Sequence, residues 1–171
     1  MICRHILKVE TIKDYLLALE TKLAKNKPVD LKENIKSPII IKNNGNHKEF
    51  SEKVLQQLIL EDLPHFLSEL GEEFTFVNSE YKIKIGENYH YIDLLLFNIR
   101  FNCYVVIELK ITEFRAEYIG QIQKYMNYVD RHLKDTFQDD TIGIIIARRK
   151  NKFVLEYCSD PRVQVVEWIV N

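Results

Sequence analysis

Apolar residues recur at helical spacing near the N-terminus and again after residue 50. In residues 11–25 they share one face of a predicted helix, at Ile12, Leu16, Leu19 and Leu23. A second helix is predicted after Ser51, whose hydroxyl suits an N-cap, and Gly71 offers its C-terminal stop. Pro64 lies inside this second stripe and removes a helix hydrogen bond, so we expect a kink or a restart just after Glu61.

The remaining pattern predicts strands and one further helix, over residues 114–134. Runs rich in Val, Ile, Tyr and Phe indicate a short strand at "PIIIK" and longer strands at 73–77, 81–86, 89–97, 103–109, 141–147, 152–157 and 163–167. This order predicts an α/β (α+β) fold with a mixed central sheet flanked by helices. We divide the chain into an N-terminal helix and connector, residues 1–50, and a domain over residues 51–171.

Composition narrows the class of protein. With 171 residues, 46% of them hydrophobic and 29% charged, the chain suits one folded domain with a small appendage. The net charge is -1, so any binding to nucleic acid must come from a local patch. Three widely spaced cysteines without a CxxC pair, no signal-peptide core and no long apolar run predict a cytoplasmic protein.

The stretch "YIDLLLFNIRFNCYVVIELKITEF" places charge inside two runs apolar enough to be buried strands. Asp93 precedes three leucines in the first run, and Glu108 and Lys110 close the second. Ionised side chains are rarely buried without a partner or a metal. If the two runs form a hairpin that pairs Asn98 with Cys103, Asp93 lies directly opposite Glu108. Strand alternation then puts Lys110 on the same face.

Two opposed carboxylates repel each other, and a divalent cation would relieve that repulsion. Oxygen ligands of this kind suit Mg²⁺ or Mn²⁺. Lys110 would then hold a water or a developing negative charge. The alternative is a buried salt bridge between Lys110 and one carboxylate, and the spacing alone leaves both interpretations open.

The predicted helix over residues 114–134 carries a second stripe beside its apolar one. Gln121 and Tyr125 lie one turn apart on this stripe. Tyrosines at helical spacing are typical of ordinary packing, so the stripe by itself does not indicate a site. The five histidines show no HExxH or zinc-ligand spacing, and no GxSxG, Walker or GxGxxG motif occurs.

Taken together, "YIDLLLFN", "CYVVIELKITEFRAEYIGQIQKYMNYVD" and the flanking "HFLSELGEEFTFV" and "TIGIIIA" resemble the nuclease domain of the YhcG-type family. That family is a branch of the PD-(D/E)xK nuclease superfamily. The resemblance covers roughly residues 51–168 in unbroken order. It implies a restriction-endonuclease-like core and hydrolysis of phosphodiester bonds with Mg²⁺ or Mn²⁺.

The resemblance also implies roles for the charged residues. Asp93 and Glu108 would be metal ligands, with the Leu109 backbone carbonyl as a candidate third ligand. Lys110 would orient the attacking water and stabilise the transition state. Ile92 stands where the superfamily name has a proline, a common replacement that leaves the chemistry intact.

Further positions follow from the helices of the family. Gln121 and Tyr125 match its QxxxY element, which borders the metal and the nucleic-acid backbone. Glu61 falls where the first helix often supplies an acidic metal ligand. Arg115 and Lys124 complete the predicted nucleic-acid contacts with Tyr125.

The expected function is a metal-dependent nuclease that acts on DNA. The alternative is a non-catalytic nucleic-acid-binding or assembly module on the same fold, because fold does not fix function. Relatives in the family carry a larger N-terminal domain, whereas residues 1–50 predict one helix and a connector. Three interpretations stay open: a truncated chain, a chain that relies on a partner, and a diverged relative. The N-terminal helix either docks on its own domain or packs against a second copy, so the candidate partners beside nucleic acid are a homodimer and an unidentified protein.

Overall fold

Six strands form one mixed sheet in the computed structural model, which describes residues 12–17 and 35–171. They are β1 (Ile39–Ile41), β2 (Phe74–Ile85), β3 (Asn88–Asn98), β4 (Cys103–Leu109), β5 (Ile142–Ala147) and β6 (Val163–Val170). Their order across the sheet is β1-β6-β5-β4-β3-β2. Pairing is parallel from β1 through β6 and β5 to β4, and antiparallel from β4 through β3 to β2.

Helices cover both faces of this sheet. The helical segments of the described ranges are α1 (residues 12–17), α2 (Glu52–Glu61), α3 (Leu63–Leu70), α4 (Glu117–His132) and α5 (Lys152–Tyr157). Leu58 of α2 and Phe66 of α3 share one core cluster with Ile107 of β4. Ile122 of α4 belongs to a second cluster with Val106. Adjacent strand residues point to opposite faces, so the two clusters lie on opposite sides of the sheet.

The mixed α/β fold expected from the sequence is confirmed, as are most of its boundaries. Ser51 caps α2, since its hydroxyl accepts a hydrogen bond from the Val54 N–H at 3.1 Å. The interruption expected near Pro64 occurs at Asp62, where α2 ends and α3 begins. Gly71 ends α3 with a φ of 136°, a backbone conformation that glycine adopts without steric cost.

The strand predicted at 152–157 is wrong, because these residues form helix α5. β4 and β6 occupy the two edges of β5 in the sheet, so residues 152–157 have no edge of β5 to pair with. Asn151 caps the helix by accepting a hydrogen bond from the Val154 N–H at 3.1 Å. Phe153 and Tyr157, spaced one helical turn apart, are exposed.

Two further boundaries differ from expectation. The strands predicted at 73–77 and 81–86 form the single strand β2. The predicted gap coincides with a register shift between Phe76 and Asn78 and with a positive φ of 47° at Glu80. Polar residues here mark an irregularity of the strand rather than its end.

The N-terminal helix predicted for residues 11–25 is described only as α1, which is exposed. Leu19 and Leu23 lie outside the described residues. The predicted strand at "PIIIK" is β1, which pairs with β6 at the edge of the sheet. Within the described ranges, no helix combines the length and the apolar character needed to cross a membrane.

Candidate active site

The β3–β4 hairpin has the register expected from its four-residue connection. Asn98 pairs with Cys103, and the pairing continues to Leu94 with Ile107. The next position brings Asp93 beside the end of β4. There the Asp93 Oδ2 accepts a hydrogen bond from the Leu109 backbone N–H at 2.8 Å. This bond holds the carboxylate of Asp93 against the strand that carries Glu108 and Lys110.

Glu108 lies at the centre of a set of polar contacts. Its Oε2 is 3.4 Å from the Lys110 Nζ and accepts a hydrogen bond from the Gln121 Nε2 at 2.9 Å. The same Gln121 Nε2 donates to the Tyr125 hydroxyl at 3.4 Å. The other carboxylate oxygen of Glu108, Oε1, is buried and has no hydrogen-bond partner among the described residues. Glu108 as a whole is only 2% exposed.

The N-terminal half of α2 also reaches this site. Gln56 donates from Nε2 to the Asp93 backbone carbonyl at 2.9 Å and is almost fully buried. One turn earlier, the Glu52 Oε1 lies 3.7 Å from the Lys110 Nζ. Helix α2 therefore joins the site through Gln56 and Glu52, and it fixes the backbone of β3 at the position of Asp93.

Burial and mutual repulsion disturb the ionisation of the two central carboxyl groups. Burial raises the pKa of Glu108 from 4.5 to about 8, and the charge of Asp93 adds to this effect against the opposing pull of Lys110. Burial likewise raises the pKa of Asp93 from 3.8 to about 6, although the Leu109 N–H and Lys110 act in the opposite direction. Both carboxyl groups therefore resist ionisation in the metal-free protein.

The ammonium group of Lys110 keeps its charge. Burial alone would lower its pKa, but the carboxylates of Glu108, Glu52 and Asp93 outweigh burial and raise the pKa of Lys110 above its usual value. When ionised, these three carboxylates face one ammonium group. Such an excess of negative charge is not expected of a balanced structural ion pair.

Two hydrogen bonds fix the backbone of Lys110. Its N–H donates to the Ile146 carbonyl at 2.8 Å, and its carbonyl accepts from the Trp168 indole Nε1 at 2.9 Å. Trp168 is fully buried, and the Arg148 guanidinium lies 4.6 Å from its ring centroid. The lysine is thus anchored by the two neighbouring parallel strands, β5 and β6.

We expect Trp168→Phe to lower the free energy of unfolding by about 1–3 kcal/mol, because the buried Lys110 carbonyl loses its donor. The urea midpoint of the variant, followed by far-ultraviolet circular dichroism, measures this change. Phe50→Leu, which trims a partly buried ring that contacts the same indole in a tilted arrangement, serves as a packing control and should cost less. Equal losses in the two variants would contradict a specific role for the indole N–H.

Sequence reasoning did not single out Glu52, Gln56 or Trp168. A signal for Gln56 existed, since it is a polar residue beside the apolar positions Leu55 and Leu58 on one helix. Its buried contact with Asp93 requires the packing of α2 across the sheet, which the sequence does not reveal.

The other predicted site residues lie in different surroundings. Glu61 is at the far end of α2 from Glu52, is exposed and accepts a hydrogen bond from Gln57 at 2.9 Å. The structure therefore does not bring Glu61 to the site, since about nine residues of helix, roughly 13 Å, separate it from Glu52. The acidic residue that α2 places there is Glu52.

The three predicted nucleic-acid contacts differ in exposure. Tyr125 is buried, and its hydroxyl faces Gln121 rather than solvent. Arg115 is exposed just before α4 and lies 3.7 Å from Glu117. Lys124 is exposed, with its Nζ 5.2 Å from the Tyr125 ring centroid. Of the predicted residues, the structure brings together Asp93, Glu108, Lys110, Gln121 and Tyr125.

The donor set at this site fits a hard divalent cation. Glu108 offers a buried oxygen that no group in residues 12–17 and 35–171 satisfies, and Asp93 lies beside it on the adjacent strand. In the described ranges, no three His, Cys, Asp or Glu side chains converge into a complete metal cluster. A cation held by two carboxylates therefore needs backbone or water oxygens as well, an arrangement usual for Mg²⁺.

Comparison with known proteins identifies the family. The family model described as YhcG PDDEXK nuclease domain matches residues 32–168, and the chain belongs to this family. The sequence is 28% identical over 116 residues to the YhcG protein of Escherichia coli (strain K12). That match covers 68% of this chain and 31% of the relative, so the chain spans less than a third of that protein's length.

Two solved structures align with about three quarters of this chain. A repair endonuclease from Pyrococcus abyssi aligns with a TM-score of 0.48 and 18% identity, over 73% of this chain and 48% of that one. The EndoMS–dsDNA2 complex aligns with a TM-score of 0.46 and 19% identity, over 74% of this chain and 48% of that one.

Proposed function

We propose that this chain is a metal-dependent nuclease domain that hydrolyses phosphodiester bonds, with DNA as its substrate. The observation that carries the proposal is the buried carboxylate pair of Asp93 and Glu108 beside Lys110, with one Glu108 oxygen left without a partner in the part of the chain that the structure describes. Membership of a nuclease-domain family supports the same chemistry.

Each residue of the cluster has a distinct part in this proposal. Asp93 and Glu108 hold a Mg²⁺ or Mn²⁺ ion, which when bound polarises the phosphate and lowers the pKa of a water. Lys110, anchored through its backbone, places a positive charge where negative charge develops on the phosphate. Gln121 orients the Glu108 carboxylate through its hydrogen bond to Oε2, and Tyr125 supports Gln121 in turn. Glu52 adds negative charge beside Lys110.

The balance of charge favours this interpretation over a purely structural ion pair. Two buried carboxyl groups with raised pKa values destabilise the metal-free site. The single positive charge of Lys110 does not neutralise the ionised carboxylates of Asp93, Glu108 and Glu52. A divalent cation supplies the missing positive charge. Sites of this kind, in which burial and like charges oppose ionisation, are typical of functional centres.

The direct test is cleavage of labelled single-stranded and duplex DNA and of matching RNA, with Mg²⁺, Mn²⁺ or EDTA. We expect cleavage of DNA that requires the metal and is lost in Asp93→Asn, because the variant removes one ligand charge. Asp62→Asn, an acidic residue paired with Lys42 outside the site, is the matched control and should cut normally. Binding of nucleic acid without cleavage under every metal condition would instead support the non-catalytic module.

A further inference from the structure

The hairpin of β2 and β3 extends beyond the rest of the sheet. β3 pairs with β4 only from Leu94 to Asn98, whereas β2 and β3 pair onward to their turn. We call residues 81–85 and 88–92, with their turn, the arm. One face of the arm is anchored, since Ile83 and Ile92 are buried in the core cluster that contains Tyr125.

The opposite face of the arm is exposed and carries a regular pattern. Lys82 pairs across the strands with Tyr91, and Lys84 pairs with Tyr89. Strand alternation puts these four side chains on one face, and the Lys82 Nζ lies 4.0 Å from the Tyr89 ring centroid. The tyrosines are 56% and 52% exposed, for Tyr89 and Tyr91 respectively. Two aromatic rings thus alternate with two cations on a surface that has a rigid backing.

The arm also leads directly into the candidate active site. Tyr91 is two residues before Asp93 on the same strand, a distance of about 7 Å along β3. A chain bound along the arm would therefore lie near Asp93. Near the turn, Lys84 pairs with Glu87 at 3.8 Å, but Glu87 is almost fully exposed, and such surface pairs exchange easily for a phosphate.

We propose that this face binds a single-stranded segment of nucleic acid beside the site. Lys82 and Lys84 contact phosphates, and Tyr89 and Tyr91 stack against bases. Base faces are available for stacking in a single strand, whereas a duplex covers them with neighbouring bases. The inference rests on the proposed function for its biological meaning, but the binding it describes is measured separately from cleavage.

The test is the fluorescence anisotropy of a labelled single-stranded oligonucleotide, titrated with the full chain in EDTA so that no cleavage occurs. Tyr89→Thr/Tyr91→Thr removes both rings while keeping strand-favouring residues, and we expect binding about tenfold weaker or more. Lys82→Gln/Lys84→Gln should reduce the slope of log affinity against log salt by about 1.4, from two lost phosphate contacts. Thermal melting of each variant checks that the fold is intact.

Lys48→Gln/Tyr157→Thr removes an exposed lysine and tyrosine from other elements and should bind like wild type. Arm variants that bind as tightly as this control overturn the proposal. The proposal is also overturned if the arm variants lose binding only to duplex DNA, or if the wild-type chain does not bind single-stranded DNA. Weakened binding in the arm variants of a chain that never cuts would support the arm and reject the proposed function. Cleavage by wild type together with unaltered binding in the arm variants would support the proposed function and reject the arm.

Discussion

Replacing Glu108 with glutamine is expected to stabilise the metal-free protein at pH 8 and to abolish its stabilisation by Mg²⁺. The folded protein raises the pKa of Glu108 from 4.5 to about 8, chiefly through burial. Ionising this side chain therefore costs more in the folded state than in the unfolded one. At about 1.36 kcal/mol per pH unit, the penalty at pH 8 is on the order of a few kcal/mol, or about 10 °C in melting temperature. Glutamine does not ionise, so the variant does not carry this penalty.

The same pKa decides how the stability of the wild type changes with pH. Below pH 4.5, Glu108 is protonated in both states and contributes no penalty. Between pH 4.5 and about 8, the unfolded chain releases its proton while the folded chain keeps it, so the wild type loses stability as pH rises. Above about pH 8 the loss is complete. Asp93 adds a smaller loss between pH 3.8 and about 6.

Thermal melting of wild type and Glu108→Gln from pH 5 to 8.5, with EDTA or Mg²⁺, measures both effects. Mg²⁺ should raise the melting temperature of wild type, because it binds the native site, and leave the variant unchanged. Glu69→Gln is a matched control, because its partner Lys36 lowers the pKa of this carboxyl and the variant should not gain stability. A pH profile of Glu108→Gln identical to wild type would refute this account of the site.

Lys110→Met is expected to reduce metal-dependent cleavage by about 10²–10³-fold, the usual effect of removing one group that stabilises transition-state charge. Methionine keeps much of the aliphatic length of the side chain but leaves Glu108 and Glu52 without their cation. Binding of Mg²⁺ should remain, since the carboxylates are intact and a competing positive charge is gone. The loss should therefore appear in the cleavage rate at saturating Mg²⁺.

Single-turnover cleavage with excess enzyme separates this loss from weaker substrate binding. Lys42→Met, which breaks a surface pair with Asp62, is the control and should cut at the wild-type rate. Cleavage by Lys110→Met at that same rate would show that the lysine is structural. Loss of its melting response to Mg²⁺ would show that the lysine acts on the metal site instead.

The sequence predicted that Asp93, Glu108 and Lys110 lie together because the pairing that joins them is local in the chain. A four-residue connection sets the register of β3 and β4, and strand alternation then decides which side chains share a face. Asp93, Glu108 and Lys110 are close together for these reasons alone. Gln121 and Tyr125 follow from helical spacing once α4 packs on the same face.

The sequence failed where partners come from distant parts of the chain. The resemblance assigns Glu61 to the site, whereas the packing of α2 brings its other end, with Glu52, to Lys110. The contact of Trp168 with the Lys110 carbonyl joins residues far apart in sequence. For α5 the sequence predicts a strand, because six residues of mixed character satisfy either the helical or the strand period. Its helical conformation fits a sheet in which β4 and β6 already occupy both edges of β5.

The strand order also indicates which strand pairs form early and which form late during folding. β2, β3 and β4 follow one another through short turns, so their pairing closes small loops at low entropic cost. The edge pair of β1 with β6 joins Ile39 to Trp168 and must close nearly the whole described chain. Contacts so distant in sequence slow folding. We expect the local β2–β3–β4 part of the sheet to bring the carboxylates together first, and the indole to reach the Lys110 backbone only after β5 and β6 have added to β4.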